Sequence, residues 1–127
     1  MNTYFLILIS ALLLWILYSR FVQGGNIPSL SGQAFLDDLK ENDGVLVDVR
    51  SSQEYAAGHI EGAENMDFLG RQFKAKAENL PKEKPIYVYC KSGTRSKMAA
   101  RTLQKLGFEK VVNLSGGTMG WKGELVK

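Results

Sequence analysis

The sequence contains a single cysteine, Cys90, and a single histidine, His59, so neither a disulfide framework nor a structural zinc site can hold the fold together. Stability must come from an ordinary apolar core. Cys90 is then either an inert buried thiol or a reactive one, and the residues call for no metal and no organic cofactor. Charge is missing in two places: nothing charged precedes Arg20, and no Asp or Glu occurs between Lys84 and Lys105. Also absent is any basic tract interleaved with aromatic residues. The net charge of +3 therefore argues little for nucleic acid, and no nucleic-acid partner is expected. There is no internal repeat and no low-complexity tract.

The uncharged start from Tyr4 to Tyr18 reads YFLILISALLLWILY, without a Gly or Pro to interrupt a helix. Extended to Asn2 and Val22 it gives about 20 residues, enough at about 1.5 Å per residue for a hydrocarbon layer of roughly 30 Å. Tyr4, Trp15 and Tyr18 lie near its ends, where amphipathic rings favour the interface, and Arg20 can snorkel at the edge. A remaining domain of roughly 100 residues could not surround such a helix, which disfavours a buried core helix. A cleaved signal peptide would carry Lys or Arg before the run and an A-x-A site after it, and neither is present. The expected organisation is a transmembrane anchor over residues 1–23, in contact with the membrane through residues 4–22, a Gly-rich linker over 24–28 and one domain over 29–127. Arg20 after the span places that domain in the cytoplasm. Signal-peptide cleavage would instead export it.

Beyond the linker, segments rich in Val, Ile and Tyr alternate with segments of helical period, the pattern of an α/β domain. Ser31 to Lys40 predicts a helix with Phe35, Leu36 and Leu39 on one side. Gly44 to Val49 predicts a buried strand, as does Pro85 to Tyr89, which delivers Cys90 at its carboxyl end. A helix from Ser96 to Leu106 follows, ended by Gly107, and then a last strand over Val111 to Leu114. Ligands of parallel sheets sit beyond the carboxyl ends of the strands, and Asp48, Cys90 and Ser115 all lie at such ends.

The segment Cys90-Lys91-Ser92-Gly93-Thr94-Arg95 joins a strand to a helix. Its amides can converge on one point, with Gly93 allowing the tight bend, and a bowl of this kind binds anions. Amides, helix dipole and the cations Lys91 and Arg95 favour thiolate over thiol. The competing view is a buried hydrophobe beside a solvated basic face. Against it, Arg95 and Lys97 sit in the first helical turn, where the macrodipole disfavours cations by about 0.3–1 kcal/mol each. Arg95 is expected to fork onto the oxygens of an anionic donor.

Several stretches resemble the rhodanese family: Val47-Asp48-Val49-Arg50 with Glu54-Tyr55, Gly58-His59-Ile60 and Gly62-Ala63-Glu64-Asn65; then Val88-Tyr89-Cys90 through Arg95-Ser96; then Leu114-Ser115-Gly116-Gly117 with Gly120-Trp121. The resemblance implies a doubly wound rhodanese-like domain around a mainly parallel five-stranded sheet, with Cys90 as catalytic sulfur acceptor and Lys91, Ser92, Gly93, Thr94, Arg95 and Ser96 around the substrate. It implies transfer of sulfane sulfur from a small anionic donor, thiosulfate or a persulfide, to a thiol or cyanide-like acceptor. Asp48 and Arg50 read as a structural charge pair near the site, His59 as a structural histidine, Tyr55 as a core-facing ring and Trp121 as packing. Phosphatases with a Cys-and-Arg cradle need a longer loop than the four residues that separate Cys90 from Arg95. A membrane-bound binding or persulfide-sensing module without turnover is the alternative.

Overall fold

The computed structural model describes residues 2–23 and 26–127. The Gly24-Gly25 part of the expected linker and the side chain of Arg20 lie outside the described residues. The chain opens with helix α1 (Thr3–Gln23) and continues as β1 (Ser29–Leu30), α2 (Gly32–Glu41), β2 (Val45–Asp48), α3 (Ser52–Ala57), β3 (Glu64–Asn65), α4 (Phe73–Glu78), β4 (Ile86–Tyr89), α5 (Thr94–Lys105) and β5 (Val111–Leu114), closed by a 3₁₀ turn over Gly117–Gly120. The strands form one sheet in the order β1-β5-β4-β2-β3, and every pairing between them is parallel.

Period-two alternation sends the strand side chains to two separate cores. Val47 of β2 and Val49 just after it, Ile86 and Val88 of β4, and Val111 of β5 face α4 and α5, where they meet Phe73, Ala77, Ala99, Ala100 and Leu103. Leu46, Tyr87, Tyr89, Val112 and Leu114 face the other way, onto Phe35 of α2 and the partly buried Tyr55 of α3. Both faces of the sheet are thus covered, which is why its central strands are continuous apolar runs. Each Val, Leu, Ile or Phe among them stabilises the fold by about 1.5–3 kcal/mol when fully buried.

The connections from β2 to β3 and from β4 to β5 leave in opposite directions across the sheet. The adjacent strands β2 and β4 therefore flank a switch point, with Asp48 paired in register to Tyr89. A crevice at their carboxyl ends is the geometric consequence.

The sequence reading missed β1, β3 and α4. The two edge strands are two residues each, too short for any alternation, and α4 is a six-residue helix without a cap motif. Ser31 does occupy the cap position of α2, but its side chain makes no capping hydrogen bond.

In α1 the large apolar side chains from Tyr4 to Tyr18 are exposed on all sides. The transmembrane span expected over residues 4–22 is not supported among the described residues, where no helix is long and apolar enough to cross a membrane. Side chains of α1 are described only as far as Ser19.

Candidate active site

Cys90 follows β4 directly and lies at the switch point, with its side chain 1% exposed, so only a slender group can reach the sulfur. The backbone amide of Gly93 donates to Sγ at 3.0 Å, and the Ser96 hydroxyl lies 3.4 Å from it. Gly93 has φ +109°, a conformation that glycine alone adopts without strain, and this is what lets the loop bend back on the sulfur. Ser96, fully buried, is held by the Gly93 carbonyl at 3.1 Å and by Asn113 Oδ1. Burial pushes the Cys90 thiol up, but hydrogen bonds from the Ser96 hydroxyl and from the amides of Ser96, Gly93 and Ser92 outweigh it and hold the thiol below its ordinary value.

The orientation of the loop is set from outside it. The amide of Thr118 donates to the Cys90 carbonyl at 2.9 Å, and the amide of Met119 to the Lys91 carbonyl at 3.0 Å. In a planar trans peptide the carbonyl and the next amide point in opposite directions. Tying these two carbonyls to the 3₁₀ turn therefore turns the Lys91 and Ser92 amides away from it. The turn can come this close only because residue 117 is glycine: its φ is +56°, and a Cβ there would fall on the carbonyls of Cys90 and Lys91.

Arg95 does not present its fork to the crevice as expected. Nη1 and Nη2 donate to Oε1 and Oε2 of Glu54 at 2.8 and 3.0 Å. Glu54 is held in turn by a capping box at the start of α3. The Ser51 hydroxyl accepts from the Glu54 amide at 3.2 Å, and Glu54 Oε1 accepts from the Ser51 amide at 3.3 Å. The Arg95 fork, against the cost of burial and with help from Ser51, holds the Glu54 carboxyl down at about 2. The structure thus makes Arg95 a tie between the loop and α3.

Lys91, Ser92 and Thr94 are exposed around the mouth, while Gly93 and Ser96 are buried beneath it. Asp48 and Arg50 form a buried pair at 2.7 Å; Arg50 also donates to the Gly58 carbonyl at 2.7 Å and lies over the Tyr89 ring. His59 stacks on Tyr55 at 3.7 Å, donates from Nδ1 to the Tyr55 carbonyl at 2.9 Å, and bridges to Val126 through its backbone. Trp121 packs partly buried against the second core. Among the described residues no cluster of His, Cys, Asp or Glu could hold a metal ion. Sequence reasoning missed Glu54, Asn113 and the 3₁₀ amides. Ser51-x-x-Glu54 was a visible capping box, but nothing local pairs Glu54 with a cation 41 residues later.

A six-residue loop carrying a buried cysteine, its thiol held below the ordinary value, at the switch point of a parallel doubly wound sheet defines the class of domain. The chain belongs to the rhodanese family: the family described as Rhodanese-like domain matches residues 31–124. Among similar proteins, the uncharacterized protein YqhL of Bacillus subtilis (strain 168) is 32% identical over 98% of this chain and 95% of its own length. The thiosulfate sulfurtransferase GlpE of Pseudomonas fluorescens (strain SBW25) is 38% identical over 76% of this chain and 83% of its own. The putative sulfur carrier protein YrkF of Bacillus subtilis (strain 168) is 38% identical over 78% of this chain, which spans only 53% of it. Among solved structures, a rhodanese-like domain protein from Staphylococcus aureus superposes with a TM-score of 0.64 at 26% identity, over 80% of this chain and 99% of that one.

Gly117→Ala should cost about 2 kcal/mol of stability from the left-handed backbone alone and should disorder the loop amides. The rate of Cys90 alkylation by iodoacetamide, followed against pH, should then show a thiol pKa moved up toward that of a free cysteine. An unmoved profile would detach the 3₁₀ turn from the chemistry. Glu54→Gln tests the tie to α3. Because the Glu54 carboxyl is depressed from 4.5 to about 2, its contribution is complete above pH 4.5 and lost as pH falls toward 2. The stability gap between wild type and Glu54→Gln, measured by urea denaturation, should therefore shrink across that window; a constant gap would show that the pairing with Arg95 does not stabilise the fold.

Proposed function

We propose that this chain is a sulfurtransferase that moves sulfane sulfur from thiosulfate or a persulfide to a thiophilic acceptor through a persulfide on Cys90. The observation that carries this reading is the convergence of loop amides and the Ser96 hydroxyl on a buried Sγ. With thiosulfate, the Cys90 thiolate attacks the outer sulfur; a bond forms from Sγ to that sulfur, the sulfur–sulfur bond of the donor breaks, and its electron pair leaves with sulfite. The amides that stabilise the thiolate are then placed to stabilise the terminal persulfide anion, without reorganising for each turnover. The sulfur then passes to a nucleophile, regenerating the thiolate. The similarity to a thiosulfate sulfurtransferase and to a putative sulfur carrier protein supports the same class.

We propose further that α1 seats the domain at the cytoplasmic side of a membrane. Its side chains are exposed and apolar from Tyr4 to Tyr18, an arrangement costly in water and favourable in lipid. The similarity to YqhL spans 98% of the chain and so extends into α1.

Cys90→Ser should keep its circular dichroism spectrum and should fail to gain the mass of one sulfur after incubation with thiosulfate, whereas the wild-type protein gains it and loses it to cyanide. Sulfur uptake by the variant would eliminate the mechanism; a wild type that takes up none would leave a binding or sensing module. Full-length protein should resist extraction from membranes by carbonate with residues 1–23 still attached, and deletion of those residues should release a soluble domain that takes up sulfur. Extraction of the full-length chain by carbonate would defeat the anchor.

A further inference from the structure

We propose that Asn113 is a positioning residue: by drawing the proton of the Ser96 hydroxyl away from Cys90, it sets how readily the sulfur becomes a nucleophile. The consequence for sulfur transfer rests on the sulfurtransferase reading above; the consequence for the free thiol does not. Ser96 is fully buried, and its hydroxyl has one proton to give. Three acceptors surround it: Asn113 Oδ1, the nearest, the Gly93 carbonyl at 3.1 Å and Cys90 Sγ at 3.4 Å. A neutral thiol sulfur is a weak acceptor, so while Cys90 is protonated the close amide oxygen takes the proton. Ser96 then turns a lone pair to the sulfur, and the thiol is the donor of that contact. Ionisation reverses the arrangement. A thiolate has no proton to give, so the hydroxyl must leave Asn113 and swing to Sγ, where it adds to the loop amides. The Asn113 oxygen is then buried without that partner, at a cost. Asn113 thus opposes the ionisation that the amides favour.

The fold holds Asn113 for this role from its other side. Asn113 stands in β5, in register with Ser29 of the edge strand β1, and its Nδ2 donates to the Ser29 hydroxyl at 3.3 Å. With Nδ2 turned outward to Ser29, Oδ1 faces inward to Ser96. The side chain is 1% exposed in a strand otherwise made of Val111, Val112 and Leu114, and a polar group so placed gains nothing from burial itself. Its two hydrogen bonds are what it contributes. The charged groups that face the loop are Lys91 at the mouth, Arg95 of α5 closed on Glu54 of α3 with Asp67 near it, and the closed Asp48–Arg50 pair at the end of β2. The other charged side chains of α4 and α5 are exposed, and β5 and the 3₁₀ turn contain no titratable side chain. A change at Asn113 therefore leaves every one of these charges in place, and its effect on the sulfur must pass through Ser96.

The test follows alkylation of Cys90 by iodoacetamide in the full chain, with the rate read against pH. Asn113→Leu keeps the shape of the side chain and removes the acceptor. On the acid limb of the profile its rate should rise about threefold to tenfold, the equivalent of one net hydrogen bond gained by the thiolate, with the alkaline plateau held within about twofold. Ser96→Ala should slow the acid limb, and in that background Asn113→Leu should change nothing. A rate that stays or falls in Asn113→Leu, or that rises as much without Ser96, would overturn the assignment. If circular dichroism shows that Asn113→Leu does not fold, Ser29→Ala at the exposed sheet edge takes its place: freeing Nδ2 should raise the acid-limb rate by a smaller factor, and an unchanged rate would overturn the assignment equally. Mass gain from thiosulfate is read in parallel. In Asn113→Leu it should extend to lower pH together with alkylation, and uptake that does not follow would overturn the transfer half. If the wild type gains no sulfur, the sulfurtransferase reading fails, and the alkylation profiles still decide the role of Asn113.

Discussion

Two hydrogen bonds from the 3₁₀ turn to the carbonyls of Cys90 and Lys91 control the chemistry of this domain, because they decide which way the peptide planes of the loop face. A loop of this length has no internal structure that could fix its amides. Left alone, its carbonyls and amides would reorient around a charge on sulfur, and each reorientation would add to the barrier. The closing Gly116-Gly117 segment removes that freedom by packing backbone against backbone, at a distance no side chain permits. The sheet contributes by setting β4 and β5 side by side, so that the turn after β5 arrives beside the residue after β4.

Charge is handled inside the fold more completely than the basic segment from Lys84 to Lys105 suggests. Arg95 is closed on Glu54, Arg50 on Asp48, and Lys84 and Lys110 pair with Asp43 and Asp38 at the surface. The sulfur is therefore acidified by neutral dipoles, while the guanidinium of Arg95, at the other end of the loop, is spent on holding α3. Under the proposed sulfur transfer, amides at fixed positions would serve a thiolate and a persulfide alike, as the negative charge moves outward by one sulfur. A mobile cation would follow the charge and tighten on one state at the expense of the other.

Much of this was legible in the residues. The central strands, the two longer domain helices and the position of Cys90 at a strand end follow from apolar periodicity, and the glycines at 93 and 107 stand where positive φ is required. The short edge strands were not legible, since two residues carry no period. Nor was the partner of Arg95: a cation in the first turn of a helix signals unusual use, but whether it serves a ligand or a distant carboxylate depends on how α3 docks, and that docking is a property of the packed sheet. Asn113 carries no sign in the sequence beyond its place in a strand, yet its side chain accepts from the Ser96 hydroxyl from the next strand over. The uncharged start shows the reverse case: composition pointed to a membrane span, while the described helix shows apolar exposure but not a span.

The two outer strands of the sheet, Ser29–Leu30 and Glu64–Asn65, are each only two residues long. A long open edge is a template on which another chain can add a strand. Here each rim offers too few unpaired backbone groups to nucleate such pairing. Two copies of such a domain can lie side by side without their sheets joining into one.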